Sequence, residues 1–201
     1  MKPNPKIFLL ALLISASANA QITNNTNQLG FKAGLNFTGL EYSKDYKNFS
    51  ISTIVRPVVG VYGNLAIANR FSVQLEGIFN GLGHKTVNKN TGEIIQRINY
   101  ISLPVLFKYH SSDHFKVFAG AQWDVLFSAS KKYLAVDNEF IANKTTLNGD
   151  DFAAVLGLEY VINSRWSFQG RYAYGLTEVK KFDPMGQNRS LQTSFNYRLG
   201  K

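Results

Sequence analysis

Apolar and polar residues alternate along most of this chain. From Asp151 to Ile162, one set of alternate positions is Phe152, Ala154, Leu156, Leu158, Tyr160 and Ile162; the other includes Asp151 and Glu159. The pattern resumes after Asn163-Ser164. Trp166, Phe168, Gly170, Tyr172 and Tyr174 then lie on one face, and Arg165, Ser167, Gln169, Arg171 and Ala173 on the other. A period of two puts successive side chains on opposite faces of a sheet, so these are strands joined by a tight hairpin. The same test predicts eight strands: Leu29–Leu40, Pro57–Ile67, Phe71–Gly83, Asn99–His110, Phe115–Phe127, Asp151–Ile162, Arg165–Tyr174 and Ser190–Gly200.

The connections between them also alternate. Ala68-Asn69-Arg70, Ser111–His114 and Asn163-Ser164 are very short, whereas Glu41–Arg56, His84–Ile98, Ser128–Asp150 and Gly175–Arg189 are long. In an up-and-down arrangement, alternate connections share an end, so one rim has tight turns and the other has four long loops. Ten residues at ~3.4 Å each, tilted by about 40°, rise roughly 26 Å, which matches the apolar band of an outer-membrane barrel. The expected fold is all-β: an eight-stranded antiparallel up-and-down transmembrane β-barrel.

The two faces decide which side meets lipid. One carries Lys32, Asn36, Tyr62, Asn64, Ser72, Gln74, Glu76, Asn80, Ser102, Lys108, Lys116, Gln122, Asp124, Gln192, Ser194, Asn196 and Arg198. The other carries Val73, Leu75, Phe79, alternate residues from Ile101 to Tyr109, and alternate residues from Val117 to Phe127. A soluble ligand-binding barrel would reverse the faces. Here the aromatics of the apolar face gather near strand ends: Phe71, Tyr109, Phe115, Tyr160, Trp166 and Tyr197 at the short turns, and Phe37, Phe79, Trp123, Phe127, Phe152, Tyr172 and Tyr174 toward the long loops. Two such belts around an aliphatic middle suit the two membrane interfaces, so the apolar face is assigned to lipid.

The first twenty residues read differently. Lys2 and Lys6 precede an apolar run, Ile7 to Ile14, and Ala18-Asn19-Ala20 is an A-x-A cleavage site. Residues 1–20 are expected to be a secretory signal peptide and 21–201 the barrel, with export to the outer membrane. No cysteine is present, so no disulfide supports the exported fold. The formal net charge of +9 includes Lys2 and Lys6, and the remaining basic residues are scattered without a basic helix or cluster. Scattered charge on an exported chain points away from nucleic acid and toward anionic lipid.

The stretches INYISLPVLFKY (98–109), FKVFAGAQWDVLF (115–127), GLEYVINSRWSFQGRYAYGL (157–176) and SFNYRLG (194–200) resemble the PorT-like outer-membrane β-barrel family of Bacteroidetes. The resemblance covers nearly all of the chain after residue 20. It implies a Gram-negative outer-membrane location and, for one named member, an association with protein secretion. It carries over no functional residue. Pro104 lies mid-strand, where the family often has a proline; a proline cannot donate to a ladder, so a bulge or weakened pairing is expected there.

Catalytic chemistry has little support. His84 lies toward the long loops and His110 and His114 at the opposite rim, so no zinc set converges. There is no G-x-S-x-G and no P-loop. A lipid-A-modifying enzyme would set a His with Ser and an acid near the outer rim, and only His84 is placed for that. No cofactor is expected. Eight strands leave an interior that side chains fill. Glu76, Arg171, Lys32, Lys108, Asp124, Glu159 and Arg198 are therefore expected to form a structural polar network in the lumen. Counting from the tight turns places Glu76 and Arg171 near mid-depth on opposite strands, which predicts a charge-assisted hydrogen bond from Arg171 to Glu76, direct or through one polar neighbour such as Tyr62 or Gln169. The expected role is structural or interactive, with lipopolysaccharide and other envelope proteins as partners. The alternative is a subunit of a secretion or surface assembly, with recognition by long loops such as Ser128–Asp150.

Overall fold

The computed structural model describes residues 27–42, 49–88, 92–133, 138–141, 149–178 and 186–200. The strands are β1 (Gln28–Tyr42), β2 (Phe49–Ser52), β3 (Ile54–Ala68), β4 (Phe71–Asn88), β5 (Gly92–His110), β6 (Phe115–Tyr133), β7 (Asn138–Ile141), β8 (Asp150–Val161), β9 (Trp166–Glu178) and β10 (Gly186–Leu199). Eight of them close a ring in the order β1-β3-β4-β5-β6-β8-β9-β10, each antiparallel to its neighbours. The short β2 and β7 pair with the long-loop ends of β4 and β6. Closure leaves no open edge, the condition for placing β-structure in hydrocarbon.

Burial is inverted relative to a water-soluble protein. Leu156 is 61% exposed and Phe195 52%, while Lys32 is 1% and Asn36 0%. The outer surface therefore needs a non-aqueous neighbour, and the interior is where polar groups pack. Aromatic pairs mark the short-turn end of the outer face: Phe71 with Tyr109, Phe115 with Tyr160, and Trp166 with Tyr197, at centroid distances of 5.2, 5.0 and 4.9 Å. Toward the long loops, Trp123 stacks on Phe152 at 6.3 Å.

Strand ends at the short-turn rim fall within a residue or two of expectation. The last hairpin is wider than a two-residue turn, because β8 ends at Val161 and β9 begins at Trp166. Asn163 Oδ1 accepts from the N–H groups of Arg165 and Trp166, both at 2.9 Å, so one side chain organises the loop. At the other rim the strands run on beyond the sequence estimate. His84–Ile98, expected as loop, is largely paired strand, from His84↔Gln96 to Asn88↔Gly92. Above the membrane band both faces meet water, so the alternation that would reveal a strand disappears there.

Pro104 weakens its ladder without shifting it. The β4–β5 register passes from Leu75↔Val105 to Ile78↔Ser102 with the intervening positions unpaired, and the register is the same on both sides. A bulge does occur on β5–β6, but at Asn99/Tyr100.

A second proline has a larger effect. The β3–β4 ladder stops at Val58↔Asn80, and on that edge β4 regains a partner only at Lys85, opposite Ser52 of β2, while its other edge stays paired with β5. Pro57, next in line, has no N–H to offer. The freed β4 backbone is served from inside the barrel by β1. Asn36 Nδ2 donates to the Gly81 carbonyl at 3.0 Å, Gly83 N–H donates to Thr38 Oγ1 at 2.8 Å, and the Thr38 hydroxyl donates to the Gly83 carbonyl. Residues 81–84 are all buried. Gly83 has φ +153°, and a Cβ there would come within 2.2 Å of the Gln96 carbonyl oxygen, so only glycine fits.

Candidate functional site: the charged lumen

The lumen holds most of the buried ionisable groups, and the strand faces carry them there. Even-numbered positions of β1, β3, β4 and β5 point inward, which places Lys32, Tyr62, Glu76 and Lys108 in the interior. Glycines on the same faces make room. A Cβ at Gly30 would come within 2.5 Å of the Tyr62 ring, and one at Gly157 within 2.4 Å of the Phe118 ring.

At the centre, Glu76 binds two cations. Lys32 Nζ donates to its Oε1, and Arg171 Nη1 donates to its Oε2 at 2.9 Å. The cluster widens through Gln169, whose Oε1 accepts from Lys32, Gln74, whose Nε2 donates to Glu76, and Gln192, whose Oε1 accepts from Arg171 Nη2 at 2.8 Å. The ion-paired Lys32, Glu76 and Arg171 side chains are all 1% exposed or less. Nearer the short turns, Lys108 pairs with Glu159, Lys116 approaches the same carboxylate at 3.8 Å, and Lys108 sits over the Phe118 ring. Nearer the long loops, Asp124 accepts from the Ser102 hydroxyl and from Gln122, while Asp151, its cross-strand neighbour, accepts from Thr177 and Asn188.

Glu76, Arg171 and Lys32 thus meet in one cluster, and Lys108 and Glu159 in a second. Asp124 belongs to a separate group, in which its hydrogen-bond donors are the uncharged side chains of Ser102 and Gln122. Arg198 lies apart from all three: its guanidinium donates to the Ser164 carbonyl at the short-turn rim, 2.6 Å from Nε. His110 and His114 do not meet; His110 contacts Ser72 Oγ at 2.9 Å, and His114 contacts the Val161 carbonyl at 3.2 Å. His84 is 2% exposed. Among the described residues, no three His, Asp or Glu side chains gather as metal ligands.

Two features of the interior escape a reading of polar positions. The first is Lys32 as the bridge between Glu76 and Gln169, because no tight turn borders β1 from which its depth can be counted. The second is a pair of apolar clusters inside the barrel: Leu106, Phe118, Ala153, Val155 and Ala173, and Leu82, Ile98, Tyr100 and Ala129. The cluster around Leu106 is legible in the sequence, since Leu106, Phe118 and Val155 occupy the same alternate positions as Lys108, Lys116 and Glu159.

A closed eight-stranded ring with an apolar exterior, aromatic belts and an ion-paired lumen defines a transmembrane barrel of the outer-membrane type. The chain belongs to the outer membrane protein beta-barrel domain family, which it matches over residues 7–198. Among solved structures it is similar to Neisserial surface protein A, with 10% identity and a TM-score of 0.54, covering 85% of this chain and 97% of that one. It is also similar to Ail, the attachment invasion locus protein of Yersinia pestis, in complex with the heparin analogue sucrose octasulfate. There the identity is 11% and the TM-score 0.50, covering 87% of this chain and 99% of that one. At such identities the likeness concerns the fold alone. The comparison with curated proteins gave no match.

Proposed function

We propose that this protein is a non-catalytic outer-membrane barrel whose lumen is plugged by its own charged side chains, and that its role is structural or interactive. One observation carries the reading: Lys32, Glu76 and Arg171 join β1, β4 and β9 across the interior, where a conducting path would have to run. Buried charges that satisfy one another hold fixed positions, because separating them leaves an uncompensated charge in a poorly solvated space. The burial of His84 supports the absence of lipid-modifying chemistry, which needs a base that a lipid can reach. Export by residues 1–20 belongs to the same reading, as does contact with lipopolysaccharide around the outer surface.

The finer assignment is to the PorT-like barrels of Bacteroidetes. It rests on the resemblance of 98–109, 115–127, 157–176 and 194–200 and favours, as a second reading, a subunit of a secretion or surface assembly. The two readings differ in partners. Crosslinking from the long loops and short turns of the native protein, with identification of the attached chains, separates them: envelope proteins captured in stoichiometric amounts support the assembly.

The plug is tested in planar bilayers. The unmodified protein is expected to give no steady ion current. Replacing Lys32, Glu76 and Arg171 together by alanine should produce one. A large current through the unmodified barrel overturns the reading.

A further inference from the structure

The two buried glutamates of the lumen each face two cations: Glu76 has Lys32 and Arg171, and Glu159 has Lys108 and Lys116. Asp124 and Asp151 differ. They stand directly opposite each other on β6 and β8, both turned inward, 1% and 2% exposed, and near enough for their charges to repel. Among the described residues, no lysine or arginine pairs with either one. Their hydrogen bonds come from uncharged groups, Ser102 and Gln122 for Asp124, and Thr177 and Asn188 for Asp151. Two neighbouring carboxylates in a poorly solvated interior are unfavourable until something offsets their charge.

Gln122 points to what offsets it. The residue is 2% exposed, and its Nε2 lies 2.9 and 3.0 Å from the two Asp124 oxygens. Oε1, on the same planar amide, is buried without a hydrogen-bond partner among the described residues. Half a turn of that amide exchanges the two atoms and brings Oε1 to the carboxylate. An amide oxygen and a carboxylate share such a place only around a cation. The Ser102 and Thr177 hydroxyls, each already at a carboxylate, can turn their hydrogens away and offer lone pairs. The placement also provides a route. On the outer face Trp123 and Phe152, each next in sequence to one of the acids, stack at 6.3 Å in the belt toward the long loops. The acids therefore lie at the level of the outer interface, close to the long-loop mouth, where Thr177 is half-buried and Gly149 is exposed.

We propose that Asp124 and Asp151 bind a divalent cation of the calcium type in the mouth of the lumen, with Gln122 Oε1 and the Ser102 and Thr177 hydroxyl oxygens completing its shell. A double positive charge offsets both carboxylates, which a monovalent ion does not. The donors are all oxygens, the set that hard cations prefer. Calcium accepts roughly six to eight oxygens in an irregular array at about 2.3–2.6 Å, whereas magnesium demands a regular octahedron and keeps several waters, so a crowded shell built from side chains favours calcium. The ligands come from β5, β6, β8 and β9, so the bound cation ties four strands together where the long loops emerge. The site stands apart from the Lys32–Glu76–Arg171 cluster and goes beyond the plugged barrel without depending on the plug.

The test uses the full protein in phosphatidylcholine vesicles free of lipopolysaccharide, whose phosphates would take up the metal themselves. Thermal unfolding is followed by gel mobility in chelator, calcium chloride, magnesium chloride or sodium chloride at matched ionic strength. Calcium should raise the midpoint, magnesium should raise it less, and sodium should leave it at the chelator value. Terbium, a luminescent stand-in for calcium, should emit when tyrosine is excited. That emission should fall with excess calcium and in Tyr100→Phe, because the Tyr100 hydroxyl lies within range of both acids. Asp124→Asn should need at least roughly tenfold more calcium for half the response. Asp151→Asn should do the same, and it takes the place of Asp124→Asn if that variant does not fold. Asp113→Asn, at the opposite rim, should keep the full response. No shift with calcium, an equal shift with sodium, terbium emission undiminished in Tyr100→Phe, or a full calcium response in either site variant overturns the site. Ion current through the unmodified protein is a separate reading, so failure of the cation site is distinguishable from failure of the plug.

Discussion

Arg171 and Glu76 meet across the width of the barrel: Nη1 donates to Oε2 at 2.9 Å, from strands four places apart in the eight-strand ring. Lys32, on a strand midway between them, binds the other oxygen of the same carboxylate. One acid therefore holds two cations, and this asymmetry predicts unequal effects of mutation. Glu76→Gln leaves Lys32 and Arg171 facing each other without an anion and should destabilise by about 3–5 kcal/mol. Arg171→Met leaves the Lys32–Glu76 pair in place and should be milder. In the double variant the effects should fall short of their sum. Thermal unfolding of the four proteins in detergent measures the coupling; strict additivity would contradict the pairing.

The outer face yields a second expectation. Leu156 is 61% exposed and lies mid-strand, so Leu156→Arg places a cation in hydrocarbon and should cost about 2–4 kcal/mol in a bilayer. Val73 lies closer to the short turns, and Val73→Arg should cost less, because the penalty falls toward the interface. Reversible unfolding in phospholipid vesicles gives both values. Gln169 is a poor inward control for the same substitution: it is 0% exposed and already accepts from Lys32, so an arginine there would oppose a buried lysine. Equal tolerance at Leu156 and Val73 would contradict the depth assignment.

What the sequence discloses of this fold follows from where water and lipid alternate. Within the membrane band each residue is either in lipid or in the lumen, so the period of two is clear and the eight strands can be placed. Above the band, at Ile94-Ile95 or Lys131-Lys132, the strands continue without alternation, and the pattern gives no warning of β2 or β7. The lumen is partly legible. Glu76 and Arg171 can be matched by depth because both follow a tight turn by a countable interval. The placement of Arg198 at the rim depends on a loop carbonyl at Ser164, which no side-chain pattern encodes. The inward turn of β4 depends on Pro57, Gly81 and Gly83 acting together with Thr38, from three separate strands.

Residues 1–26 lie outside the described part of the chain, and the export expectation is tested chemically. N-terminal sequencing of the membrane-isolated protein should begin at Gln21; a start at Met1 would contradict cleavage. Orientation follows from the asymmetry of the rims. Asn143→Cys, outside the described residues and in the stretch whose sequence predicts a long loop, should react with an impermeant thiol reagent on intact cells, and Ser164→Cys, in a short turn, should react only after lysis. Opposite labelling would invert the barrel in the membrane.

Two glycines thirteen positions apart in sequence offer a test of lumen packing. Gly157 of β8 faces inward, where a Cβ would stand 2.4 Å from Phe118 Cζ, 2.5 Å from the Gly170 carbonyl oxygen and 2.8 Å from Arg171 Cβ. Gly170 of β9 faces outward, and a Cβ there meets nothing within 4 Å. Both residues lie in strand, so the intrinsic change in backbone freedom on substitution by alanine is similar at the two sites. The difference between the variants then reports packing. Gly157→Ala must displace the Phe118 ring and the Arg171 stem, and overpacking of this kind should cost about 1–3 kcal/mol. It should also disturb the Arg171–Glu76 contact, so its effect should shrink in an Arg171→Met background. Gly170→Ala should be neutral or slightly stabilising in both backgrounds. Unfolding midpoints of the single and combined variants in detergent decide the matter: equal effects at the two glycines would mean that the interior is not packed as described.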